Sequence, residues 1–306
     1  MNHQHAASLQ DVSPVASKPG LASLDFLWLE LTGRCNLECV HCYADSSPQI
    51  ALVQGMCYEK WKDVLKEAFA LGCRKVQFIG GEPTLHPNLL QLISYARMIG
   101  YEFLEVYTNG TFLSDEMLEI FRDHDVCLAF SVYSSGAEVH DRITRREGSH
   151  NRTIKNIRRA IGYGIPVRAA IIEMPENTDD VEAAKKMLEG LNIALIETDH
   201  LRGVGRGKSN SHSKETLQEL CGACWRGQLA IDAQGNVFPC VFSRFCKIGN
   251  VSSGLRSMLH DEKLHTFRQQ VRESFEMDGL ERGMCKPNCA PYDTNRKMQM
   301  DTGRAH

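Results

Sequence analysis

The sequence predicts an α/β fold, a partial (β/α)6 TIM-like barrel followed by a small cysteine-rich C-terminal domain. Three observations carry that reading. Short apolar runs alternate with segments of helical spacing from residue 26 to about residue 197, the pattern of βαβ crossovers and a parallel sheet. Six such units fill about 175 residues, too few for a closed barrel of eight. After residue 205 apolar runs become scarce, while six of the twelve cysteines gather there.

Residues 1–20 (MNHQHAASLQDVSPVASKPG) lack periodicity and read as a disordered tail. They carry neither the basic start nor the apolar stretch of an export signal, so a cytoplasmic protein is expected. Strands are expected at 26–31, 75–79, 102–107, 126–132, 166–172 and 193–197, and helices at 58–71, 86–99, 114–123, 151–163 and 178–189. In the first helix Trp61, Leu65, Ala68 and Phe69 form one stripe, and Gly72 follows as a stop signal. The barrel is bounded at 21–205 and the C-terminal domain at 206–306. Between them 202–215 (RGVGRGKSNSHSKE) reads as a flexible linker, and one helix is expected near 254–275.

The chain has 306 residues, with 35 Lys plus Arg against 38 Asp plus Glu, a net charge of −3 and 42% hydrophobic residues. That balance exerts no general pull towards nucleic acid or anionic membrane, and no apolar run approaches the roughly 18 residues of a membrane span. Twelve cysteines in a reducing compartment point to metal or catalytic thiols rather than to disulfides.

The strongest motif is Cys35-x3-Cys39-x2-Cys42, directly after the first strand, where parallel α/β folds place their chemistry. Three thiolates so close in sequence can hold one soft metal centre. Tetrahedral zinc wants a fourth ligand; three cysteines suit a 4Fe-4S cluster with one iron left unligated by protein.

CNLECVHC resembles the signature of the radical S-adenosylmethionine (SAM) enzymes. Gly80-Gly81-Glu82-Pro83, Thr108-Asn109-Gly110, Ser131 and His140-Asp141-Arg142 before Gly148-Ser149 follow in the expected order. The resemblance implies a cluster on Cys35, Cys39 and Cys42 whose open iron chelates SAM, and an electron that splits SAM to a deoxyadenosyl radical. It implies that Gly80 and Gly81 admit the ligand closely, that Glu82 accepts from its ammonium, and that Asn109, Ser131 and Arg142 bind its polar groups. Tyr43 and His41 would offer aromatic surface to the adenine.

The stretch from Cys224 through Gly227, Ile231 and Gly235 to Cys240 resembles the SPASM or shortened twitch extensions of such barrels, which makes the C-terminal region an iron-sulfur domain. The resemblance implies one auxiliary 4Fe-4S cluster on Cys221, Cys224 and Cys240, with Cys246, Cys285 or Cys289 as the fourth ligand; by count alone, four cysteines also fit a zinc ribbon. Gly203 to Ser209 falls one residue short of a phosphate-binding loop, and His3 and His5 read as solvated. Cys57, Cys73 and Cys127 read as core residues, or one of them as the hydrogen donor of an epimerase.

The implied activity is oxidative modification or cross-linking of a side chain in a ribosomally made peptide. Peptide substrate, a separate recognition protein and an external one-electron reductant are the expected partners. The alternatives are a small-molecule (aminocyclitol or sugar) dehydrogenase or lyase, and a peptide epimerase.

Overall fold

A computed structural model describes residues 22–52, 55–209 and 217–277 of the protein. The tail at 1–20, part of the expected linker, and Cys285 and Cys289 lie outside the described residues. Six parallel strands, β1 (Phe26–Glu30), β2 (Lys75–Ile79), β3 (Phe103–Thr108), β4 (Val126–Ser131), β5 (Val167–Glu173) and β6 (Leu195–His200), lie side by side in chain order. Helices α1 (Tyr58–Ala70), α2 (Leu89–Ile99), α3 (Asp115–Asp123), α4 (Ala137–Thr144), α5 (Ser149–Gly162) and α6 (Val181–Glu189) occupy the crossovers. This is the expected partial barrel.

Strand alternation divides the core into two populations. Leu27, Leu29, Val76, Phe78, Leu104, Val106, Leu128 and Phe130 join the helices in the main apolar core. The alternate positions hold Phe26 and Trp28, but also buried Gln77, Glu105, Arg168 and Glu197. Strand register aligns these residues, pairing Trp28 with Gln77 and Gln77 with Glu105.

Three local departures have physical causes. The second helix starts at Leu89 rather than 86, because Pro83–Leu85 forms a separate tight turn whose Thr84 N donates to Glu82 Oε1 at 3.1 Å. Helix α4 was not expected; it carries the His-Asp-Arg motif. Its Asp141 accepts from Gly148 N, Ser149 Oγ and His150 N at 2.6, 2.8 and 2.9 Å, which starts α5 at Ser149, two residues early.

The sheet continues through the expected domain boundary. Strand β7 (Gln228–Ile231) pairs in parallel with β1, and β8 (Asn236–Phe238) and β9 (Gly249–Asn250) add antiparallel, giving nine strands among the described residues. Asp232 shapes the β7–β8 turn by accepting from Gln234 N and Asn236 N. Two helices, α7 (Leu255–Leu259) and α8 (Glu262–Met277), replace the single expected one. Fully buried Arg268 on α8 donates to Ser23 O at 3.1 Å and Gln228 O at 3.0 Å, locking that helix over the β1–β7 seam.

Candidate active site

The loop after β1 is held by a ladder that outlasts the strands. Leu31 N donates to Ile79 O at 2.9 Å, Gly81 N to Thr32 O at 2.6 Å and Glu82 N to Arg34 O at 2.8 Å. Such close approach explains both glycines. Gly80 has φ +146°, and a Cβ there would sit 2.6 Å from Thr32 O; at Gly81 a methyl would overlap the Arg34 carbonyl. They are glycines first because the cysteine loop runs against them, a reason the sequence reading did not include.

Cys35, Cys39 and Cys42 line one cavity at the carboxyl ends of the strands. Burial pushes the Cys35 thiol up to about 12, and Glu82 and Cys42 add to the rise. Cys39 is likewise held well above an ordinary thiol, by burial and then by the charges of Cys42 and Cys35. Cys35 and Cys39, buried and crowded beside Cys42, resist ionisation and call for a cationic centre. The three cysteines line a wall; among the described residues no three His, Cys, Asp or Glu side chains are gathered to hold a metal ion.

Tyr43, Gly80, Gly81, Asn109 and Ser131 line the same cavity. Asn109 Nδ2 donates to Asn36 Oδ1 at 2.9 Å and reaches Cys35 Sγ at 3.6 Å, while its Oδ1 accepts from Thr111 N at 2.9 Å. Helix α5 fixes that turn, since Thr153 Oγ1 donates to Asn109 O and Asn156 Nδ2 to Gly110 O. Ser131 is hydrogen-bonded between the phenols of Tyr107 and Tyr133. His41 also faces the cavity, edge-on to Tyr133, and burial lowers its ring to about 4.

Two expected ligand contacts are placed differently. Glu82 is enclosed at 1% exposure and absent from the cavity wall. It accepts from Thr84 Oγ1 and Thr108 Oγ1 at 2.7 Å each and from Asn109 N at 2.8 Å, so it braces the Asn109 turn. Arg142 lies on the outer face of α4, half exposed and 3.6 Å from Glu138, away from the cavity; the motif is there because Asp141 caps α5.

The sequence reading missed the polar floor of the cavity. Arg168 pairs bidentately with Glu105 at 2.8 and 2.9 Å and reaches Glu197 at 2.8 Å, while Gln77 donates to Glu105. Gln77, Glu105 and Arg168 are each a polar residue inside an apolar strand run, at an inward position, and that inward register was the available signal; Glu197 stands where its strand turns polar. Asp199, Arg202 and Arg206 also line the cavity. Asp199 belongs to β6, whereas Arg202 and Arg206 come from the segment expected to be a flexible linker, whose described part is packed: Arg202 donates to Glu219 O at 2.6 Å and Arg206 to Cys39 O at 2.8 Å.

Val241 and Phe242 of the C-terminal extension complete the wall, with Phe242 edge-on to Tyr43. Cys224 lies within hydrogen-bonding reach of Cys221 on one side and Cys240 on the other, and these contacts, followed by burial, hold its thiol well up. Buried Cys246 shares their apolar cluster, but the charges acting on it are Lys263 and Asp261. None of Cys57, Cys73 and Cys127 lines the cavity: Cys57 is exposed, and the others are buried in the two cores.

Comparison with known proteins agrees with this geometry. Residues 29–188 match the model of the Radical SAM superfamily, and residues 221–290 match the SPASM iron-sulfur cluster-binding domain. The chain is 28% identical over 233 residues to the antilisterial bacteriocin subtilosin biosynthesis protein AlbA of Bacillus subtilis, covering 75% of this chain and 51% of that protein. It is 28% identical to the Fe-coproporphyrin III synthase of Methanosarcina barkeri, over 62% of this chain and 47% of that one. The chain thus spans about half the length of these curated relatives. Streptococcus suis SuiB bound to S-adenosylmethionine superposes with a TM-score of 0.66 at 14% identity, over 82% of this chain and 68% of that chain, a likeness of fold. A cysteine trio lining the cavity at the mouth of a partial barrel, and Cys224 beside Cys221 and Cys240 in the extension, fit the 4Fe-4S clusters and S-adenosylmethionine that these domains imply. The chain is an enzyme of the Radical SAM superfamily and belongs to it by both its barrel and its cysteine motif.

Proposed function

We propose that the protein reductively cleaves S-adenosylmethionine and uses the product to oxidise or cross-link a side chain of a ribosomally made peptide. The observation that carries this is the shared cavity. Cys35, Cys39 and Cys42 line one side of it and Val241 and Phe242 of the extension another, so barrel and extension face one reaction space. The likeness to the subtilosin biosynthesis protein, and to SuiB solved with its precursor peptide SuiA, supports a peptide as substrate.

Cys35, Cys39 and Cys42 would hold the cluster, which when bound supplies the electron that breaks the sulfonium bond of S-adenosylmethionine. Asn109 would present its amide to the cofactor's polar end, held in place by Thr111 and by Glu82 beneath the turn. Ser131, anchored between two phenols, offers a second polar contact. His41 is kept neutral by burial, and with Tyr43 and Phe242 forms an aromatic wall that keeps water out. Arg168 keeps its charge through Glu105 and Glu197 and closes the floor without needing a substrate partner. Cys221, Cys224 and Cys240, with Cys246, Cys285 or Cys289, would hold the auxiliary cluster. A separate recognition protein would present the peptide.

The test is an anaerobic incubation with dithionite, S-adenosylmethionine and short peptides encoded beside the gene. The expected result is release of methionine and a peptide lighter by hydrogen; Cys35→Ala, Cys39→Ala and Cys42→Ala together should stop both. Continued methionine release by that triple variant overturns the assignment. Cleavage that leaves every peptide intact but oxidises an aminocyclitol or sugar favours the small-molecule reading.

A further inference from the structure

The segment that follows β6 grips the cysteine loop through its carbonyls. Arg206 Nε donates to Cys39 O at 2.8 Å, its Nη2 to Ser46 O at 2.7 Å and its backbone N to Cys42 O at 3.0 Å. Gly205, with φ +57°, lets this happen: a methyl there would overlap the carbonyls of Cys42 and Tyr43. Gly207 is equally constrained, since a Cβ would overlap Arg202 O. Arg202 in turn donates to Glu219 O, and Gly203 N to Glu219 Oε2 at 2.8 Å. One short strap therefore fastens two of the three cysteines to the last barrel strand and to the extension. Arg206 also lines the cavity that the three cysteines share.

We propose that Arg206 is a positioning residue that clamps the Cys39–Cys42 turn and raises the reduction potential of the barrel cluster. This rests on the reading that Cys35, Cys39 and Cys42 hold that cluster. A one-electron reduction, the electron coming from dithionite in the test, adds one negative charge to the site and makes or breaks no bond. A fixed cation favours the more negative state. The hydrogen bonds to Cys39 O and Ser46 O hold that cation against the cysteine loop itself. Arginine suits the task because its planar fork serves two carbonyls while its charge stays constant.

The experiment is a mediated redox titration of the reconstituted full-length protein, followed by electron paramagnetic resonance. The barrel cluster is identified as the signal that changes when S-adenosylmethionine is added. Arg206→Gln, with iron content retained, is expected to lower its midpoint by about 59 mV or more, a tenfold loss in the reduction equilibrium. Arg206→Lys keeps the charge and is expected to stay near the wild-type midpoint while altering the signal through the lost fork. An unchanged midpoint in iron-replete Arg206→Gln overturns the inference, as does equal iron loss from both variants with no shift in the cluster that remains. Wild-type protein that releases methionine while Arg206→Gln shows no shift sinks this inference alone. A wild type that binds no iron sinks the proposed function as well.

Discussion

Nη2 of Arg244 donates to both carboxylate oxygens of Glu30, at 2.5 and 2.6 Å, and so ties the C-terminal extension to the first barrel strand. The guanidinium also lies 5.5 Å from the Tyr43 ring centroid, beside the cysteine loop. Glu30 is buried, which pushes its carboxyl up, and Arg244 opposes that rise. Truncating one partner would leave a buried charge without its counterpart.

Arg244→Met should therefore destabilise the fold by about 3–5 kcal/mol, and Glu30→Gln with Arg244→Met should recover most of that loss. Urea unfolding of the singles and the double closes the cycle. A double variant destabilised by the sum of the two single losses would mean that the two residues act independently.

Glycine substitutions should separate close approach from helix propensity. Gly81→Ala should cost about 1–3 kcal/mol and lower iron uptake, because the added methyl meets the Arg34 carbonyl. Gly162, which ends α5 and has open space around its Cβ position, should gain about 0.5–1 kcal/mol as alanine. Urea midpoints and iron content measure both; a tolerated Gly81→Ala would contradict the packed ladder.

The His-Asp-Arg motif should behave as a cap followed by a bystander. Asp141→Ala should cost about 1–2 kcal/mol through loss of its bonds to the first turn of α5. Arg142→Ala should stay within about 0.5 kcal/mol and leave binding of S-adenosylmethionine unchanged. Thermal melts and equilibrium dialysis distinguish the two, and weakened binding in Arg142→Ala would restore the role that the motif suggested.

Acid should weaken the protein as the buried His140 ring is forced to take a proton. Burial, followed by the charge of His150, lowers His140 to about 4 from an ordinary 6.5. Its folded value lies below its unfolded one, so the unfolded chain binds more protons in between. Stability is complete above about pH 6.5 and falls as pH drops towards 4, by up to about 1.4 kcal/mol per pH unit from this ring. His140→Asn should flatten that slope in urea titrations at pH 7 and pH 5. An unaltered slope would place the sensitivity elsewhere.

The barrel rhythm is legible because each crossover packs an apolar strand face under an amphipathic helix, so period and order survive in the chain. The cysteine spacing and the Gly80, Asn109 and Ser131 landmarks are legible for a related reason: each follows a strand and lands at the same end of the sheet. Arg168 and Glu105 stay hidden because one polar residue in an apolar run looks like noise until inward register pairs it with its neighbours. The strap at Arg206 is hidden by composition, since glycines and bases that read as a linker are needed here to bring backbone against backbone. Glu82 shows the converse. Its motif is plain, but only the structure reveals that its oxygens face Thr84, Thr108 and Asn109.

The central claim is that the first cysteine trio leaves one iron open to the sulfonium cofactor, and electron paramagnetic resonance of the reduced protein with and without S-adenosylmethionine addresses it directly. With about eight irons per chain, the spectrum should change on adding the cofactor, and the responsive component should vanish when Cys35, Cys39 and Cys42 are replaced by alanine. A spectrum indifferent to the cofactor, or a colourless protein carrying stoichiometric zinc, would contradict it.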